Sequence, residues 1–185
     1  MTTSKDYGGS NTPVDIRDLW ATPSWLFEKL HQEFNFSLDA AARKESAKVD
    51  NFITKEENAL TINWLSRIGS NNRAVWINPP YSDIAPWLAK AEAEARKNNI
   101  VSVLLIPATP DAGWWPKSAS EVRFITGEVL EGKQRNASGR IHFVRADTGE
   151  VQKGNPKGSA LIVFAPGTLG NMTTKYTPIT AFKGE

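Results

Sequence analysis

Ala74-Val75-Trp76-Ile77-Asn78-Pro79-Pro80-Tyr81 is the stretch on which the fold turns. Four apolar residues without polar alternation read as a strand buried on both faces, and the Asn-Pro-Pro-Tyr turn stops it abruptly. Ser82 or Asp83 can then cap a helix to about Lys97, its apolar stripe made by Ile84, Trp87, Leu88, Ala91 and Ala95. Asn98-Asn99 ends that helix, and Ile100 to Ile106 is the clearest core strand in the chain. Two more apolar runs follow, Val122 to Thr126 and Ser159 to Phe164. Upstream, Thr22 as N-cap and Pro23 at the first helical position start a helix that sets Leu26, Phe27 and Leu30 on one face. Asn35 to Leu38 alternates like a short strand and ends at Asp39. Strand, helix, strand in succession predicts an α/β fold around a mostly parallel central sheet.

The 185 residues suffice for one domain with a real core. Residues 1–18 and 171–185, polar and short of periodicity, are expected to be flexible tails around a domain at 19–170. Apolar residues at 40% and charged residues at 23% suit a soluble globular chain. No apolar run reaches membrane-spanning length and the amino terminus lacks a signal-peptide pattern, so a cytoplasmic protein is expected. With 22 basic against 20 acidic residues, net charge argues for no particular partner. Cysteine is absent. That removes disulfides, zinc fingers and every thiol nucleophile, including the one that cytosine C5 methylation needs. His31 and His142 lie far apart without carboxylate spacing, so no metal site is expected.

The tetrapeptide carries chemistry of its own. Each residue before a proline is pushed toward extended geometry, which stiffens both Asn78 and Pro79, with Pro80 completing the turn. The Asn78 amide oxygen and the Pro79 carbonyl can accept two hydrogen bonds from one planar –NH2 group. Tyr81 offers an aromatic face for a flat ring. An exocyclic amine on a nucleobase is a poor nucleophile because its lone pair is delocalised into the ring. Two fixed acceptors stabilise the positive charge that develops as that nitrogen attacks a methyl sulfonium in line. The plainer reading is a strand-terminating turn with a surface tyrosine.

These residues do not stand alone. With Trp20-Ala21-Thr22-Pro23, Phe36-Ser37-Leu38-Asp39-Ala40-Ala41, Asn58-Ala59-Leu60 with Trp64, Leu105-Ile106-Pro107-Ala108 and Gly139-Arg140-Ile141-His142-Phe143, the chain resembles the phage-type DNA N6-adenine methyltransferase (Dam-like) family from Trp20 to Phe164. The resemblance implies a compact Rossmann-like methyltransferase domain, S-adenosylmethionine as donor, and adenine N6 in DNA as acceptor. By the same resemblance Asp39, Ala40 and Ala41 stand where the methionine portion of the donor binds, and Thr22-Pro23 in the segment closing over it. For Asp39 and Thr22 a helix N-cap remains the alternative. The acidic partner of the ribose is open among Asp50, Glu56 and Glu57. The chain departs from larger methyltransferases in having Asp39-Ala40-Ala41-Ala42 where a glycine-rich turn is usual, and in the short interval between Asp39 and Asn78.

Chemistry on adenine N6 requires the base to leave the duplex, and holding DNA requires cations on its phosphates. Lys133, Arg135, Arg140, His142 and Arg145 lie in a stretch with no acid between its ends, followed by Lys153 and Lys157. That segment is expected to be a DNA-contacting loop or hairpin, with a solvated surface hairpin as its alternative. Trp114-Trp115 could line the pocket, though core packing is the stronger expectation. DNA is the expected partner, the protein acting as a monomer or weak dimer. Two other functions fit the tetrapeptide: methylation of an amino or amide group of RNA or protein, and a non-catalytic DNA-binding module with the same fold.

Overall fold

The computed structural model describes residues 19–69, 72–132, 136–152 and 155–183. A six-stranded sheet forms the centre, in the order β2 (Leu38–Asp39), β3 (Ala74–Ile77), β4 (Val101–Pro107), β7 (Ser159–Phe164), β5 (Glu121–Thr126), β8 (Thr173–Pro178). A separate two-stranded ribbon joins β1 (Trp20–Ala21) antiparallel to β6 (Val144–Arg145). The helices are α1 (Ser24–Phe34), α2 (Ala85–Asn98) and the single turn α3 (Thr180–Lys183).

Period-two alternation in the buried strands divides the core into two layers. Val75, Ile77, Leu104, Ile106 and Ile162 share one layer with Leu88, Ala91 and Ala95 of α2. Trp76, Val103, Leu105, Leu161 and Val163 share the other with Leu26, Phe27 and Leu30 of α1 and Phe182 of α3. Leu26, Leu30, Val75 and Leu104 are all fully enclosed, each worth about 1.5–3 kcal/mol of hydrophobic stabilisation.

The sheet is mixed, which corrects the expectation of a mostly parallel one. β2, β3 and β4 run parallel, as do β5 and β8, but β7 lies between β4 and β5 and opposes both. The chain leaves β5 at Thr126 and re-enters the sheet at Ser159, beside Pro107 at the same end, so β7 must run back. Continuous apolar strands are buried whichever way they run, so Ser159 to Phe164 gave no sign of direction.

The caps differ from the reading as well. Pro23, not Thr22, occupies the N-cap of α1 in extended geometry, and its carbonyl accepts the Leu26 and Phe27 N–H groups, both at 3.2 Å. α2 starts after Ile84, without a side-chain cap and with Pro86 in its first turn. Asn35 and Asn99 close α1 and α2 in the left-handed region. On α2 the charged Glu94 is buried rather than solvated. It accepts from the Trp64 backbone N–H and the Asn98 amide, and pairs with Lys90 at 2.7 Å.

The expected C-terminal tail is part of the fold. β8 pairs with β5 over six residues, and Ile179 and Phe182 are buried behind it. The expected N-terminal tail, 1–18, lies outside the described residues.

Candidate active site

Parallel pairing brings the carboxyl ends of β2 and β3 together, the place where open α/β sheets form ligand crevices. Asp39 stands in register with Trp76, and the Ala40 N–H donates to the Trp76 carbonyl at 3.0 Å. The two motifs, thirty-nine positions apart in sequence, therefore leave the sheet side by side. Between them opens a cleft of about 430 Å³ whose lining includes Ala40, Ala41, Asn58, Asn78, Tyr81 and Trp87. A smaller polar pocket of about 40 Å³ adjoins it, bounded by Thr22, Asp39, Ser46 and Lys48. Asn78 borders both.

No helix opens at Asp39, so the N-cap alternative does not hold. Its carboxylate instead accepts the N–H groups of Ala41 at 3.3 Å and Lys48 at 3.0 Å, closing the loop back on itself. Burial raises its pKa to about 6, against the lowering effect of those two bonds and of the Lys48 charge. Lys48 is drawn below the ordinary lysine value by its own burial, with Asp39 opposing.

The Asn78 side-chain nitrogen donates to the Trp20 carbonyl at 2.9 Å. Its oxygen is enclosed and has no partner among the described residues. Tyr81 packs edge-on against Phe143 at 6.0 Å, and its hydroxyl is also enclosed and unpartnered. Burial drives the Tyr81 pKa upward, so the phenol stays neutral. The Pro80 carbonyl accepts the Asp83 N–H at 3.2 Å, making the turn that leads into α2. Seven enclosed side-chain polar atoms lack a partner among the described residues, and four of them, on Trp20, Thr22, Asn78 and Tyr81, belong to residues lining these two cavities. Each such atom costs about 1–3 kcal/mol, and a concentration of them marks a place built to receive something.

A family model described as DNA N-6-adenine-methyltransferase (Dam) matches residues 9–182. The chain belongs to this family. Among its relatives is a DNA N-6-adenine-methyltransferase of Escherichia phage T1, 34% identical over an alignment of 183 residues that covers 95% of this chain and 74% of the relative. Another of the same name, from Haemophilus phage HP1 (strain HP1c1), is 33% identical over an alignment of 180 residues that covers 94% of each chain.

In this family member, the sequence left the Asn58-Ala59-Leu60 block without a role, yet it lines the cleft. Asn58 adopts a left-handed conformation, and the Trp64 indole N–H donates to the Ala59 carbonyl at 2.9 Å. The signal was present, since this block was one of the shared motifs. Trp20, Lys55, Asp83 and Trp87 also line the cleft and were not singled out for it. None of Asp50, Glu56 and Glu57, the three ribose candidates, is among the lining residues. Glu57 instead pairs with Arg67 and accepts the Thr54 N–H.

Of the expected DNA contacts, Lys133 and Arg135 lie outside the described residues, as does Lys153. Arg140 is exposed and its guanidinium donates to the Asn155 carbonyl. Arg145 is half-buried, held by Asp147 through two bonds at 3.0 and 2.6 Å. The acid that answers its charge lies two residues beyond the acid-free stretch. Ile141 and Phe143 are buried while Arg140 and His142 face outward, so this segment is threaded into the core, not free of it. Trp114 and Trp115 are half-buried, Trp115 stacked on Phe124 at 5.9 Å, and neither lines the cleft.

Proposed function

We infer that the protein is an adenine-specific DNA methyltransferase that uses S-adenosylmethionine and acts on an adenine rotated out of the duplex. The observation that carries this reading is the enclosed, unpartnered Asn78 oxygen at the cleft of a Dam-family chain. A Rossmann-like reading of the sheet is supported by parallel β2, β3 and β4, covered on both faces and opening the cleft at their carboxyl ends.

The cavities suit the donor. A volume of about 430 Å³ is of the size that small-molecule sites have, and Ala40 and Ala41 leave their side of it open. Asp39 and Thr22 of the adjoining pocket would hold the amino-acid end, one as a carboxylate facing an ammonium and the other through its unused hydroxyl. Pro23 fixes the start of α1 and so the position of Thr22. When bound, S-adenosylmethionine supplies a methyl carbon on cationic sulfur, which a neutral amine can attack.

The chain's own residues prepare that amine. The Asn78 oxygen accepts one N–H, the Pro79 carbonyl a second, and both interactions strengthen as the nitrogen becomes cationic. Pro79 and Pro80 hold the acceptors still, and Tyr81 provides the flat wall. Tyr81, kept neutral by burial, is not the base; the proton leaves after attack, when the nitrogen is acidic. Lys133, Arg135 and Arg140 carry the phosphate contacts, whereas Arg145 serves the ribbon. One copy of the chain builds both cavities, which supports action as a monomer.

Purified protein with methyl-labelled S-adenosylmethionine and unmodified DNA is expected to yield labelled N6-methyl-2′-deoxyadenosine after nucleoside digestion. Asn78→Ala is expected to reduce the rate by about 10²–10³-fold. Label in cytosine or RNA, or a variant as fast as the parent, would overturn the reading.

A further inference from the structure

Trp20 is tied to Asn78 across fifty-eight residues of sequence by a single side-chain bond. A backbone carbonyl only accepts, so the end of the Asn78 amide that faces it must be –NH2. The amide oxygen is thereby turned to the opposite side, where it is left unpartnered. An asparagine free to rotate could present either end to an incoming amine, and –NH2 against –NH2 is repulsive.

We propose that the Trp20 carbonyl is a positioning group that fixes which end of the Asn78 amide meets the substrate, and that the β1–β6 ribbon exists to hold that carbonyl in place. The ribbon is well secured for an element only two residues wide. Beyond the pairing of Trp20 with Arg145 and of Ala21 with Val144, the Ala146 N–H donates to the Leu19 carbonyl at 2.8 Å. On its far side the Arg145 N–H donates to the Glu150 carbonyl at 2.9 Å, and the Gln152 N–H to the Phe143 carbonyl at 2.7 Å. Phe143 sets its ring against both Trp20 and Tyr81. The inference rests on the reading of Asn78 as the amine acceptor and adds how that acceptor is oriented.

Asn78→Asp tests it, because the two accounts predict opposite pH behaviour. An ionised aspartate has no donor for the Trp20 carbonyl and is repelled by it. A protonated aspartate restores the arrangement, its hydroxyl donating to Trp20 and its carbonyl oxygen facing the amine. Without the Trp20 constraint, the ionised form would be the better acceptor and the variant would improve as pH rises. The titratable groups lining the two cavities beside Asn78 are Asp39, Arg43, Lys48, Lys55, Asp83 and Tyr81. They titrate in parent and variant alike, so the ratio of the two reports what differs between them, the group at position 78 and its coupling to these neighbours.

The experiment measures single-turnover methylation of an adenine-containing duplex by Asn78→Asp and by the parent at each pH. Rates are divided by the fraction of protein that binds S-adenosylmethionine in calorimetry, so a poorly folded portion drops out. The variant-to-parent ratio is expected to rise about tenfold or more between about pH 8 and pH 5.5 as the buried carboxyl takes its proton. A ratio that is flat, or larger at alkaline pH, overturns the role of Trp20. Asn78→Ala keeps the two levels apart. If it methylates like the parent, the reading of the site has failed; if it is inactive while the Asn78→Asp ratio is flat, only the inference about Trp20 falls.

Discussion

Thr22 is only 2% exposed and its hydroxyl meets no partner among the described residues, a defect by the energetics of buried polar groups. Thr22→Val keeps the shape and removes the defect, so the free protein is expected to gain about 1 kcal/mol in urea unfolding. If Thr22 holds the donor as proposed, the same change should weaken S-adenosylmethionine binding by up to about tenfold in calorimetry. Asp39 makes a different prediction. Desolvation lifts its pKa from 3.8 to about 6, so the folded chain holds this proton more tightly than the unfolded one. Its contribution to stability is therefore complete below about pH 4 and lost as pH rises through about 6, on the order of 3 kcal/mol. Urea midpoints across that interval should show this limb, and Asp39→Asn should flatten it. Donor affinity should move the opposite way, rising with pH as the carboxylate forms. That the tetrapeptide and Asp39 stand at strand ends was legible in the sequence because the strand-like run before each stops there, whereas the partners that orient them, Trp20 and Lys48, were not. The ribose partner was not, since an acid's availability depends on distant cations such as Arg67, which occupies Glu57.

Among the elements, β3, α2 and β4 followed from periodicity, and the Asn-Pro-Pro-Tyr turn falls where the apolar run predicted. The reversed strand did not, because burial on both faces erases direction. What sets that direction is the excursion between β5 and β7, which is folded against the sheet end at a close crossing. A Cβ on Gly139 would lie 2.4 Å from the Thr126 carbonyl carbon and 2.5 Å from the Gly127 nitrogen, both backbone atoms that no rotamer change can move. Gly139→Ala is expected to destabilise the protein by about 2 kcal/mol or more, measured by urea unfolding. Because the displaced segment leads directly into Phe143 and β6, methylation should fall further than donor binding does. Equal losses in both would place the effect in general unfolding instead.

For the whole molecule, the consequential misreading was the carboxyl terminus. Thr173 to Pro178 is polar and β-branched because it is an edge strand with one neighbour, and such a strand resembles a tail when read alone. Its anchors lie beyond it, at Ile179 and Phe182. An ionic network adds to them: Arg123 of β5, only 7% exposed, binds Glu33 of α1 and Glu121, which also pairs with Lys175 of β8. A chain ending at Gly170 loses this strand, two buried side chains and the cover of the β5 edge. It is expected to be recovered as aggregate and to give no cooperative thermal transition.

The ribbon also has a temporal consequence. If the Trp20 carbonyl orients the Asn78 amide as proposed, the amide is set by a residue whose own strand partner is made more than a hundred residues later. While translation proceeds, a nascent polypeptide still lacking Val144 and Arg145 can possess the whole Asn-Pro-Pro-Tyr turn and yet leave it misaligned. On that reading, competence to methylate DNA arrives only after Val144 and Arg145 have been made and paired.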